Sequence, residues 1–271
     1  MLATLLELGI PHEDIDAVLA TKIPPSLSER FAADVEALTG SVGTIDELPK
    51  TSPPEDAPAF YGVLVFAAAV PAVKAYHATR GIPEAMTRLI LTDVGRQVAV
   101  HRRRHGRPGI DTEHWLTRHF QGRIFQLGRL QFEQVTLGTT TGTSLREAGL
   151  PYGPGDPALS IHIPEYCGPF TPEAIDDSLA QAAAFFPRYF GDYDYRVAVC
   201  HSWLLDPQLD GVLPTSSNIL AFQRRFTFSH ATAGEGIMRF VAAGTKLHET
   251  VQAHVAAGNS WQSGSGWMLL P

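Results

Sequence analysis

Two cysteines in 271 residues, Cys167 and Cys200, are too few for a disulfide scaffold or a four-thiolate zinc site. No Gly-Lys-Ser/Thr ending follows the glycines of GTTTGTS (138–144), so they form no phosphate loop and read as a flexible hairpin or substrate loop. No HExxH occurs either. The opening MLATLLELGIPHEDID lacks a basic stretch and turns acidic, so no secretory signal is expected and a reducing cytoplasm is the expected compartment. Between Asp56 and Lys74 there is no charge at all. The apolar run there, APAFYGVLVFAAAVPAV, is shorter than the roughly 18–20 residues of a membrane span, and Pro71 interrupts it. A helix buried on all sides of a bundle is the expectation, and no membrane partner.

What remains is globular in composition. Apolar residues make up 44%, charged residues 18%, and mean hydropathy is -0.02. The length suits one large domain or two ordinary ones. Charge is segregated: residues 1–56 hold eleven acids against three bases, whereas residues 80–129 hold ten arginines against four acids. An arginine cluster can receive phosphate, but the acidic first segment is its obvious partner. Nucleic acid is not expected, because the pI is about 5.9 and no aromatic residue interleaves HRRRHGR (101–107). His101 and His105 stand at the i, i+4 spacing that can bind zinc, but a catalytic ion wants three protein ligands. No metal is expected.

Along the chain, the first 120 residues read as helices near 2–8, 12–20, 26–39, 59–79 and 112–120, with a long helix opening at Pro83. Met86, Ile90, Val94 and Val98 give that helix a buried stripe, and Gly106–Gly109 ends it. After Gly122 strands dominate: 124–135, 159–163, 195–205, 226–228, 236–241 and 261–269. Residues 137–157 read as loop. Helices are expected from Thr171 with Pro172 at its first position, over 217–226, and from Thr245 to Gly258. The fold class is α+β, with a helical domain over 1–121 followed by a mixed-sheet α/β domain over 122–271.

Six phrases occur together in the second half: RLQFE (129–133), HIP (162–164), FF (185–186), CHSWLL (200–205), LPTSSNI (213–219) and WQSGSGW (261–267). With them the chain resembles a bacterial acyltransferase family that pairs a helical N-terminal domain with a GNAT-like (Gcn5-related N-acyltransferase) C-terminal domain. The resemblance implies transfer of an acyl group from a thioester to an amine of a small molecule or peptide. It implies that the donor lies where two parallel strands splay, here 159–163 and 197–203, with its pyrophosphate at the helix from Thr171. The implied donor residues are Ile163, Gly168, Thr171, His201 and Trp203, with Asn218 and Phe222 similar to the asparagine-to-aromatic pattern after the second splayed strand. PEYCGPFTPEAIDD (164–177) stands where such folds carry a glycine-rich pyrophosphate loop. The donor that the resemblance implies is acyl-CoA or a phosphopantetheinyl thioester on an acyl carrier protein, with a different donor or a lapsed acyltransferase as the alternatives.

Acyl transfer to an amine needs a base for the ammonium proton and a proton donor for the leaving thiolate. Glu133 lies on the polar face of its strand, and His162 lies opposite Leu159, Ile161 and Ile163 on its own. Either serves as base, with Ser202 steadying the thiolate and Tyr152, Tyr166 and His230 next in line. Adjacent strand residues point apart, which argues against a Cys200–His201 dyad and makes Cys200 a buried filler. Two other readings of the same fold are hydrolysis or rearrangement of a small molecule, and ligand binding without catalysis.

Overall fold

The computed structural model describes Met1–Pro271 apart from residues 46, 48, 50, 51, 235 and 242. The sequence reads 43–58 (GTIDELPKTSPPEDAP) as a loop, and part of it lies outside the described residues. The chain forms two compact units, Met1–Gln126 and Leu127–Pro271.

The first unit is helical: α1 (Leu2–Glu7), α2 (His12–Ala20), α3 (Ser28–Gly40), α4 (Tyr61–Thr79), α5 (Glu84–Leu91), α6 (Asp93–His105) and α7 (Glu113–Phe120). The uncharged run forms α4, long and apolar enough to cross a membrane, yet Val63, Phe66, Ala69, Val70 and Val73 are buried in this unit's own core. Its polar end is satisfied locally. The Tyr61 hydroxyl donates to Asp34 Oδ2 at 2.8 Å, and Arg30 holds the other carboxylate oxygen at 2.8 Å.

The single helix expected after Pro83 is two. Gly95 N donates to Leu8 O at 2.9 Å, and a Cβ on Gly95 would fall 1.8 Å from the Gly9 carbonyl oxygen. Only a redirected helix can bring Gly95 that close, so the chain breaks at Thr92. The new start buries Asp93, which accepts from Trp115 Nε1 at 3.2 Å and pairs with Arg96 and His119. At the other end of α6, Arg102 pairs with buried Asp14 and, at 3.3 Å, with Glu13. The acidic first segment is thus its partner, and Gly106 ends the helix at φ 65.

The second unit contains a six-stranded sheet in the order β1-β2-β3-β4-β6-β5. The strands are β1 (Ile124–Leu127, straddling the boundary), β2 (Leu130–Thr136), β3 (Pro157–His162), β4 (Val197–Ser202), β5 (Thr227–Ala233) and β6 (Gln262–Leu269). The helices are α8 (Thr139–Glu147), α9 (Pro172–Tyr189), α10 (Asn218–Gln223), α11 (Gly236–Phe240) and α12 (Lys246–Ala256). β3 and β4 are parallel, whereas β2–β3, β4–β6 and β5–β6 are antiparallel.

Four further expectations are corrected. The strand over 124–135 is a hairpin, because Gly128 at φ 62 turns the chain. The loop over 137–157 contains α8. Its Gly142 packs so close to Pro154 that a Cβ would lie 2.3 Å from Pro154 N, and its Leu145 is fully buried, so packing overrides weak helix propensity. The strand over 236–241 is α11, where Ile237 and Val241, four apart, face one small core with Leu209, Leu220 and Val251. The last expected strand residues, 203–205, form a 3-10 turn.

Candidate active site

Register fixes which side chains share a face of the sheet. Gln131 stands opposite His162 and Glu133 opposite Ser160; Ser160 pairs with Val199, and His201 with Ser265. One face therefore carries Gln131, Glu133, Ser160, His162, His201 and Ser265. The other carries Phe132, Ile161, Ala198 and Cys200, and α9 packs beside β2 with Ile175, Leu179, Ala182 and Phe186 buried. α8 covers part of the polar face: Leu145 clusters with Ala158, Val197 and Trp267, and Trp267 Nε1 donates to Ser144 Oγ at 3.0 Å.

The parallel pair β3–β4 is short. Only Leu159↔Ala198 and Ser160↔Val199 are in register, while β2–β3 and β4–β6 each hold six pairs. Beyond Ser160 the two strands part. Continued, the register would set His162 against His201, so each lip of the split carries an imidazole. Beside it an open pocket of about 90 Å³ is lined by Thr136, Thr141, Ser160, Val199, His201 and Ser265.

His162 and Glu133 are brought together. The Nε2–H of His162 donates to Glu133 Oε2 at 2.8 Å, a diagonal cross-strand contact with the carboxylate buried and the ring partly open. This fixes the ring's tautomer and leaves Nδ1 as its basic nitrogen. On the far lip, His201 Nδ1 and Ser265 Oγ share a 2.7 Å hydrogen bond. Desolvation, with His230 nearby, lowers the His201 pKa, so the ring is neutral near pH 7.

Ser202 is not brought to this face. It points to the opposite side of β4, and its hydroxyl accepts from Leu204 N at 3.2 Å. Burial pushes the Cys200 thiol up to about 12, the inert state expected of a core filler. Ile163 follows β3 directly, and Gly168 turns the exposed loop at φ 81. Thr171 caps α9, accepting from Ala174 N at 3.3 Å, and Ser217 caps α10 just before Asn218. Trp203 packs against the small core around Leu220. Phe222 is buried between Phe170 and Phe226, with ring centroids 5.1 and 5.0 Å away, and offers no open face to a ligand.

Sequence reasoning missed Ser265, Ser160 and the paired lips. Alternation in WQSGSGW does put Ser265 and Trp267 on one face, but only register places that face beside His201. It also missed Arg129, which donates from Nη1 to Pro164 O at 2.9 Å and stacks on Phe170 at 5.4 Å, anchoring the loop after β3.

Comparison with known proteins finds relatives for both halves of the chain. Residues 2–122 match the N-acyltransferase N-terminal domain, and residues 124–268 match the GNAT-like C-terminal domain. No curated protein sequence matches the chain. Three similar crystal structures are an acyltransferase mutant with octanoyl-CoA (32% identity, TM-score 0.86), an acyltransferase with decanoyl-CoA and teicoplanin (33%, 0.86), and an acyltransferase with decanoyl-CoA (32%, 0.85). Each covers 99% of this chain and 87% of the other. The chain belongs to the acyltransferase family that joins an N-acyltransferase N-terminal domain to a GNAT-like C-terminal domain.

Proposed function

We propose that this protein transfers an acyl group from acyl-CoA to an amine of a small molecule or peptide, at the split between β3 and β4. The observation that carries this reading is the two-pair register with an imidazole on each lip. The acceptor nitrogen loses its proton to His162, oriented by Glu133, and attacks the thioester carbonyl. A backbone amide of β3 beyond Ser160 hydrogen-bonds the developing oxyanion. The C–S bond then breaks, the amide forms, and the thiolate takes a proton from water held by the neutral His201–Ser265 pair. Since Ser202 lies on the other face, this last role passes from it to His201. The donor is CoA-borne, as in the related enzymes, rather than carrier-borne. The acceptor class follows the glycopeptide bound by one relative: a polyfunctional molecule presenting a free amine.

Octanoyl- or decanoyl-CoA offered with a panel of such amines, glycopeptides included, should give N-acylated products and free CoA thiol in equal amounts. Thiol release without an acylated amine would instead establish hydrolysis. His162→Ala should slow turnover on the order of 10²–10⁴-fold while leaving donor binding nearly intact. If His201→Ala instead removes the acidic limb of the pH profile, His201 is the base and the two imidazoles exchange roles.

A further inference from the structure

A second histidine cluster lies in the helical unit, on residues that the acyl-transfer reading does not use. His101 and His105 sit one turn apart at the end of α6, with ring centroids 4.5 Å apart. The chain then doubles back through two glycines with left-handed backbone, Gly106 at φ 65 and Gly109 at φ 144. Gly109 passes so near the His101 ring that a Cβ would lie 2.8 Å from its Cε1. The return brings Asp111 to His105, with Oδ2 3.0 Å from Nε2. One ligating atom from each of His101, His105 and Asp111 lies within 4.8 Å of the others.

The groups around these three are those a metal site uses. The Nδ1–H of buried His101 donates to the Arg107 carbonyl at 3.2 Å, which orients the ring and leaves Nε2 for the ion. His105 and Asp111 are exposed, so water can complete the coordination. Of the nearby arginines, Arg102 is held by Asp14 and Glu13, while Arg107 bears on His101 and opposes a cation.

We propose that His101, His105 and Asp111 form a binding site for a divalent first-row transition ion of the Zn²⁺ type, clamping the end of α6 to the loop that leads into α7. Two imidazoles and a carboxylate are ligands such ions accept, with open positions for water. The sequence alone showed the i, i+4 pair but not the third ligand, which only the double-glycine return supplies.

The test uses tag-free full-length protein stripped with a chelator and titrated with Zn²⁺, and with Co²⁺ as a spectroscopic probe. One ion per chain is expected, with visible Co²⁺ absorption and a raised melting temperature. His105→Ala and Asp111→Asn, both at exposed positions, should each weaken Zn²⁺ at least about tenfold. Arg107→Ala should tighten it, and His114→Ala should change nothing. Circular dichroism confirms that each variant is folded. Failure to bind one Zn²⁺ per chain, or unchanged affinity in the folded His105→Ala/Asp111→Asn double variant, would overturn the assignment.

Discussion

At the first position of α7, Glu113 is buried against Gly62, where a Cβ would come within 2.6 Å of its Cγ. Desolvation, helped by Asp111, raises its pKa from 4.5 to about 7. Between those values the folded chain holds a proton that the unfolded chain has released, so stability falls as pH rises through this window. At pH 8 the buried carboxylate costs at most roughly 3 kcal/mol, at about 1.4 kcal/mol per pKa unit. Glu113→Gln should therefore raise the melting temperature at pH 8 and do little at pH 4.5; thermal melts at both pH values check this. His77 works from the other side. Burial pushes it from 6.5 down to about 4, so the unfolded ring takes up a proton first and stability drops as pH falls across that range. Melts of His77→Gln should lose that acid-side slope. Which residues share a strand face was legible from alternation alone, and Glu133, His162 and Cys200 lie as it indicated. That His162 reaches Glu133 was not, because the contact depends on the β2–β3 register, which sequence spacing does not encode.

Elements were legible wherever a cap, a glycine stop or a long apolar stripe marked them. α9 starts at its Thr171–Pro172 cap, and α12 starts after Thr245, whose hydroxyl accepts from His248 N at 3.2 Å. Misreadings fell where packing outweighed local preference. α8 has three threonines and a glycine near its start, α11 is five residues long, and the α5–α6 break serves the Gly9–Gly95 contact. These contacts make sharp tests. Gly142→Ala would press a methyl group into the backbone that joins Gly153 to Pro154, displacing the helix that covers the polar face. A loss of about 1–3 kcal/mol is expected from urea unfolding, together with a raised Michaelis constant for the substrate that uses that face. Unchanged unfolding would mean that α8 is not seated by this contact.

For the whole molecule, the change from helices to strands was legible near Gly122, because apolar periodicity shifts there from 3.6 to 2. Strand order was not, since it depends on which strands meet rather than on what each contains. If the donor lies in the split, saturating octanoyl-CoA should slow amide hydrogen exchange in residues 157–171 and 197–203. Exchange unchanged in both segments would remove the donor from that position.

The sheet has a seam. β3 is fastened to β2 and β4 to β6 by six pairs apiece, but only two pairs join β3 to β4. The sheet is thus two leaves, β1-β2-β3 and β4-β6-β5, stitched at one end like the pages of a book. A guest wedged between them displaces no β3–β4 ladder bonds past Ser160. Its polar groups meet two strand edges that no ladder joins there, so this sheet can admit a long, thin molecule edge-on without first being pulled apart.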